Sequence, residues 1–217
     1  MSVATKAAHF IRENTVFVAP PLVPEIGLFL ATEVVPLWRK TEKELDAEGI
    51  PPPYWAFAWA GGQALARYVL DHPHQVADRS VLDFGSGSGI VAIAAAKAGA
   101  ARVQAADIDT LAAEAIQING DANGVAIDIC IDDPIGSQTA WDVILLGDMC
   151  YEQPLAERLM MWLAERAGNG TYVLLGDPGR SYFPKSGVHK IATYRVQTTR
   201  ELEDRDIRET SVYRLET

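Results

Sequence analysis

Three glycines at alternate positions, Gly85, Gly87 and Gly89, follow directly on the apolar run Val81-Leu82-Asp83-Phe84 and lead into the apolar stretch Ile90 to Ala98. A short buried strand, a glycine turn and a helix fit this order, as in a parallel α/β sheet. Glycines let backbone N–H groups approach a ligand closely, and a helix start carries partial positive charge, so a nucleotide-like ligand is expected at this turn. Two common versions of the motif are excluded. A dinucleotide fingerprint needs glycine at the sixth position of the turn, where Ile90 stands, and a phosphate loop needs a Gly-Lys pair, which the 217-residue chain does not contain.

A second strand, Arg102 to Ala106, ends at Asp107, 22 residues beyond Gly85. On the neighbouring parallel strand, Asp107 is placed to accept hydrogen bonds from both hydroxyls of a ribose. Asp83 ahead of Gly85-Ser86-Gly87-Ser88-Gly89, followed by Asp107, resembles the cofactor site of class I methyltransferases. That resemblance implies S-adenosyl-L-methionine as cofactor, with S-adenosyl-L-homocysteine as product, the turn holding the methionine end and Asp107 the ribose. The competing reading is a tight connection in an ordinary doubly wound sheet, with both acids as solvated strand ends. Turn, spacing and second acid together favour the cofactor.

Composition narrows the setting. Hydrophobic residues make up 48% and charged residues 22%, which suits one globular domain with a sizeable core. No apolar run reaches the roughly 18 residues of a membrane span, and Met1 to Lys6 lacks the apolar region of a secretory signal, so a cytoplasmic protein without a membrane partner is expected. Cys130 and Cys150 form no C-x-x-C pair, which argues against structural zinc or an iron–sulfur cluster, and no metal is expected. A formal charge of −10 works against a nucleic-acid substrate and favours a basic, lysine-bearing partner.

Residues 1–60 lie outside the minimal sheet and are expected to form an extension or lid packed on a domain spanning 61–217. Lys6 to Asn14 reads as one or two amphipathic turns, and Glu25 to Val35 fits a strand and a helix about equally. Trp38 to Glu48 reads as a solvated helix with Thr41 and Glu44 as a capping box. Pro51-Pro52-Pro53-Tyr54-Trp55-Ala56-Phe57-Ala58-Trp59-Ala60-Gly61-Gly62 follows, with the two glycines expected to turn the chain into a helix from Gln63 to Asp71. The stretch is placed to cover the cofactor. Trp55 and Phe57 suit core packing at least as well, whereas Trp59, beside the glycines, suits the site.

Further strands are expected at Ile127 to Ile131, Trp141 to Leu146 and Thr171 to Leu175, alternating with helices over Thr110 to Ala122 and Leu155 to Ala167. Lys190 to Thr198 and Thr210 to Leu215 read as two antiparallel strands closing the sheet. Asp132 and Asp133 end the third strand at the same edge as Asp83 and Asp107. An acid there either accepts from an adenine amino group or caps a solvated turn before Pro134.

The fourth strand delivers Gly147-Asp148-Met149-Cys150-Tyr151, and Asp148 with Tyr151 resembles the D-x-x-Y signature of the seven-β-strand protein methyltransferases that act mostly on lysine. Together with Asn14-Thr15, Pro24-Glu25-Ile26, the aromatic stretch to Gly62, Asp107-Ile108-Asp109 and Gly176-Asp177-Pro178-Gly179-Arg180, the chain resembles the electron transfer flavoprotein β-subunit lysine methyltransferase family. The resemblance implies a Rossmann-like α/β fold: a seven-stranded, mostly parallel sheet with an antiparallel C-terminal hairpin and helices on both faces. It implies that Trp59, Gly61, Asp83, Gly85, Ser86, Gly87, Gly89, Asp107, Ile108, Asp132 and Gly147 serve the cofactor. Asp148 and Tyr151 would face a lysine of the partner, with the electron transfer flavoprotein β-subunit as implied target. Methylation of a small amine or pyridine nitrogen, or of a ribosomal protein, and a non-catalytic cofactor-binding scaffold are the competing readings, and the Asp148 and Tyr151 pair speaks against the last.

Overall fold

The computed structural model describes residues 3–32, 52–198 and 206–216. In chain order the described elements are α1 (Val3–Glu13), β1 (Val16–Val18), β2 (Leu28–Leu30), α2 (Ala60–Asp71), β3 (Ser80–Phe84), α3 (Ile90–Lys97), β4 (Arg102–Ala106), α4 (Thr110–Asn123), β5 (Asp128–Cys130), β6 (Val143–Gly147), α5 (Gln153–Gly168), β7 (Tyr172–Asp177), β8 (Val188–Gln197) and β9 (Ile207–Leu215). The helix expected over Trp38 to Glu48 lies outside the described residues, as do residues 33–35 of the ambiguous stretch.

Side-chain alternation along the strands sets the layers. Val81, Val103, Ala105, Val143, Leu145 and Leu174 face one core with Ala64, Leu65 and Val69 of α2 and Ile90 to Ala95 of α3. Their neighbours Leu82, Phe84, Ala106, Ile144, Leu146, Val173 and Leu175 face the other, against Leu159, Trp162 and Leu163 of α5. Strands apolar on both faces are what a parallel sheet covered by helices requires. The sheet runs β5-β4-β3-β6-β7-β9-β8. From β5 to β7 neighbouring strands are parallel, while β9 is antiparallel to β7 and β8 to β9. The chain builds outward from β3 to β5, then returns to build from β6 in the other direction. Its switch point, between β3 and β6, is where open sheets of this kind bind ligands.

The Glu25 to Val35 stretch contains a strand: Leu28–Leu30 pairs antiparallel with Val16–Val18. Two asparagines of α4 fix it there. The Asn119 amide oxygen accepts from Phe29 N–H at 2.8 Å while its NH2 donates to Ser88 O at 2.8 Å, and Asn123 donates to Gly27 O at 2.7 Å. The N-terminal segment is thereby tied to the connection that follows β3. Val23, Ile26 and Leu28 also join the main core.

Gly61 and Gly62 correct one expectation. They lie inside the first turn of α2, which begins at Ala60, and do not form a bend ahead of it. The reason is close packing. A Cβ on Gly61 would overlap Gly176 O and the Asp148 carboxylate, and one on Gly147 would stand 2.8 Å from Gly62 Cα. The start of α2 thus sits backbone to backbone on the ends of β6 and β7, as only glycine permits.

Candidate active site

At the carboxyl ends of β3, β4 and β6 lies a cavity of about 470 Å³, bounded by residues of the glycine turn, of the aromatic stretch and of the loops after β4, β5, β6 and β7. Its two walls are distinct.

The first is built on the turn after β3. Gly85 and Gly87 have φ of 64° and 54°, the left-handed region glycine favours, so the backbone folds back at Phe84 and exposes peptide groups to the cavity. Asp83 does not line the cavity. Its buried carboxylate accepts from Ser86 Oγ at 2.6 Å and from Ala92 N–H at 2.9 Å, clamping the turn from behind. Burial is the main cause that pushes its carboxyl up to about 7, against the pull of these two hydrogen bonds. Gly61, Ser86 and Gly89 likewise do not line the cavity, whereas Trp59, Gly85, Gly87, Asp107, Ile108, Asp132 and Gly147 do.

Asp107 closes this wall. Its Oδ2 accepts from Gly87 N–H at 2.9 Å and its Oδ1 from Asp109 N–H at 3.0 Å, which fixes the side chain and leaves lone pairs on both oxygens for further donors. Burial holds its carboxyl above the ordinary value, with the two backbone donors opposing. Of the two acids after β5, Asp133 is committed to the turn: it accepts from Ile135 N–H at 2.9 Å and pairs with Arg158 at 2.7 Å. Asp132 and the 76% exposed Ile108 stand at the rim. A glycine cradle beside a fixed carboxylate suits the amino acid and ribose ends of S-adenosylmethionine, and these residues fit that group.

The second wall is formed by the loops after β6 and β7 and by the aromatic stretch. Asp148, at φ 60°, occupies a left-handed conformation costly for a residue with a side chain. Several contacts hold it. Its N–H donates to Gly176 O at 2.9 Å, its Oδ2 accepts from Gly62 N–H at 3.0 Å, and its Oδ1 accepts from Arg180 Nε at 3.0 Å and Nη2 at 2.6 Å. Asp148 therefore caps a helix, but α2 and not the helix that follows it in sequence. Arg180 is positioned in turn by Asp177, whose Oδ1 accepts from Gly179 and Arg180 N–H at 2.6 and 2.7 Å.

Aromatic rings roof this wall. Trp59 Nε1 donates to Tyr54 O at 2.9 Å, the Tyr54 ring lies 6.0 Å from Trp59 and 5.9 Å from Tyr151, and the Arg180 guanidinium sits 5.5 Å above the Trp59 ring. Trp55 serves core and cavity at once, being 1% exposed, packed with Ile11 and Ala115 and lining the cavity. Phe57 packs on the same cluster. Burial raises the Tyr151 phenol, with Tyr54, Glu152 and Asp107 adding to it, so Tyr151 stays neutral. Burial, with Asp177 and Asp148 nearby, pushes the Cys150 thiol up to about 12, which excludes it as a nucleophile at neutral pH.

Sequence reasoning brought Asp148, Tyr151 and the stretch that carries Tyr54 to the cavity but missed Met149 and Leu155 as lining residues, and it gave Arg180 no role. The signal for Arg180 was the Asp177-Pro178-Gly179 turn at a strand end, a device that fixes the residue after it.

Relatives match this chain over most of its length. Over 214 residues the chain is 42% identical to the electron transfer flavoprotein beta subunit lysine methyltransferase of Danio rerio, covering 95% of this chain and 82% of that protein. To the Homo sapiens protein of the same name it is 41% identical over 201 residues, 88% of this chain and 76% of the other. The chain belongs to the electron transfer flavoprotein beta subunit lysine methyltransferase family. It is a methyltransferase.

A Caenorhabditis elegans homolog in the family is 34% identical, covering 89% of this chain and 84% of its own length. Residues 63–147 also match the family model for ribosomal protein L11 methyltransferase (PrmA). That match spans the turn, Asp107 and the end of β6, and stops one residue before Asp148. Among solved structures, magnesium protoporphyrin IX methyltransferase from Synechocystis PCC 6803 with bound SAM superposes with a TM-score of 0.53 at 17% identity, covering 72% of this chain and 78% of that one. The same enzyme with bound SAH gives 0.52 at 17% identity, covering 72% and 81%. At that identity the likeness speaks to the fold: a class I methyltransferase sheet with an antiparallel C-terminal pair.

Proposed function

We propose that the chain transfers a methyl group from S-adenosylmethionine to the side-chain nitrogen of a lysine on the electron transfer flavoprotein β-subunit. The observation that carries this reading is the meeting of two walls in one cavity: the glycine turn with Asp107, and Asp148 with Tyr151 beneath the Tyr54 and Trp59 rings. Family membership supplies the name of the acceptor.

Gly85, Gly87, Asp107 and Asp132 would hold the cofactor, which supplies an electrophilic methyl group on a sulfonium. The chain's own residues then position an acceptor and exclude water. Trp59, Tyr54 and Tyr151 make an aromatic channel that suits the apolar stem of a lysine and tolerates its charged tip. Asp148 orients the nitrogen. It is not the general base in this reading, because its carboxylate already accepts from Gly62 N–H and Arg180 in a fixed geometry. A neutral Tyr151 walls the channel and does not remove a proton. Because none of the described helices is long and apolar enough to cross a membrane, nothing in them opposes a protein acceptor met in water.

Incubation with labelled S-adenosylmethionine and a cell extract tests the reading. Label on a protein band identified as the electron transfer flavoprotein β-subunit is expected. Label confined to small molecules would sink it, and label on ribosomal protein would transfer the substrate to another class.

A further inference from the structure

We propose that Arg180 sets the protonation state of the acceptor, its guanidinium locked on Asp148 over the Trp59 ring so that the incoming lysine nitrogen is held as the neutral amine. This inference rests on the reading of Asp148 and Tyr151 as the acceptor side of the cavity.

A lysine ammonium has an ordinary pKa of about 10.4 and carries no lone pair with which to attack. A carboxylate beside it would stabilise the ammonium and raise that pKa further, so Asp148 acting alone would oppose the reaction it serves. The structure removes the conflict. Arg180 places Nε at 3.0 Å and Nη2 at 2.6 Å from one Asp148 oxygen, and the positive end of α2 takes the other through Gly62 N–H at 3.0 Å. The side chains are 8% and 18% exposed, so the two charges face each other largely out of water. Arg180 also lines the cavity itself, against the Trp59 ring. A fixed cation there disfavours a second cation and lowers the pKa of an arriving amine.

The surrounding groups do not reverse that sign. Cys150 and Tyr151, on the loop after β6, are both pushed up and neutral, and Glu152 beyond them is exposed to water. Asp177, the last residue of β7, is buried, does not line the cavity and accepts from Gly179 and Arg180 N–H. From the aromatic stretch comes Tyr54, and from the opposite wall Asp107, held by Gly87 and Asp109 N–H. Three further carboxylates line the cavity from the loops after β4 and β5: Asp109 accepts from Leu111 N–H at 2.8 Å, Asp133 pairs with Arg158 at 2.7 Å, and Asp132 stands at the rim, away from the Asp148 wall. Arg180 is thus the cation that the second wall presents to an acceptor. Its backbone is fixed by Asp177, and its loop is tied to the loop after β6 by Tyr182 N–H donating to Cys150 O at 3.2 Å. On binding, the ammonium gives its proton to bulk water and the amine remains.

Two readouts on the purified protein test this, with electron transfer flavoprotein β-subunit as acceptor. One is proton release when the acceptor binds in the presence of S-adenosylhomocysteine, read by calorimetry in buffers of different ionisation heat. The other is kcat against pH at saturating acceptor, whose rising limb reports the bound amine. The wild-type protein is expected to release about one proton per acceptor bound near neutral pH. Arg180→Gln should lose most of that release and move the limb from about pH 6 up by about two pH units, a roughly tenfold lower kcat at pH 7. Arg180→Lys keeps the charge and should keep both. A glutamine variant with wild-type proton release and limb would overturn the inference, since a purely structural role lowers activity without moving either. Should the glutamine variant fail to fold, the lysine variant decides: wild-type release supports the charge, and its loss contradicts it. Absence of lysine methylation by the wild-type protein would overturn the underlying reading, and this inference with it.

Discussion

On the glycine-turn wall of the cavity, the hydrogen bonds made by Asp83 and Asp107 span between 2 and 20 residues of chain. On the opposite wall, Asp148 reaches Gly62 across 86 residues and Arg180 across 32. The first wall is a local object, one strand, one turn and the next strand, that many proteins of this fold can own. The second exists only when α2, β6 and β7 are assembled. Damage to a remote network should therefore cost stability together with chemistry, whereas loss of Asp107 from the local wall should cost cofactor affinity alone.

The sharpest way to break that contrast is Asp148→Ala. It removes the carboxylate that Arg180 and Gly62 N–H share, so a loss of about 3–5 kcal/mol is expected from urea denaturation, together with loss of methyl transfer. Cofactor titration of the folded variant by calorimetry should return nearly the wild-type affinity, and a matching loss there would erase the distinction between the walls. Next in size is the pH dependence carried by Asp83. Its carboxyl titrates near 7 in the fold against 3.8 when unfolded. Between those values the folded chain keeps a proton that the unfolded chain has lost, so stability should fall as pH rises through that window and level off above it, by on the order of a few kcal/mol. Asp83→Asn should flatten the slope; an unchanged slope would contradict the burial argument.

Asp107→Ala is expected to weaken cofactor binding by about 1–3 kcal/mol, roughly tenfold to a hundredfold, while kcat at saturating cofactor stays close to wild type. Wild-type affinity would refute its role. The smallest effect belongs to Tyr151→Phe. The ring, which packs 5.9 Å from Tyr54, is retained, so kcat should fall by no more than a fewfold, whereas a base would be lost outright.

The same contrast explains what the sequence made legible. Short apolar runs bounded by turn residues exposed the strands, and glycines in a left-handed turn exposed the first wall, because both signals lie within a few neighbouring residues. Gly61 and Gly62 read as a bend, because glycine in sequence looks the same whether it serves a positive φ or a close approach; only the ends of β6 and β7 reveal the second. Asp148 was visible as an acid after a strand. Its partners were not, since no periodicity links residue 62 to 148 or 148 to 180. Glu25 to Val35 could not be settled by pattern, and the amides of Asn119 and Asn123 on a distant helix settle the strand at Leu28 to Leu30.

The most direct measurement is a map of methylated lysines, by peptide mass spectrometry, on electron transfer flavoprotein β-subunit incubated with S-adenosylmethionine and either the wild-type protein or Asp148→Asn. Methylation of one or a few defined lysines by the wild type, sharply reduced by the variant while its cofactor affinity persists, is the expected result. A β-subunit left unmethylated by the wild-type protein, or methylated equally by both, would contradict it.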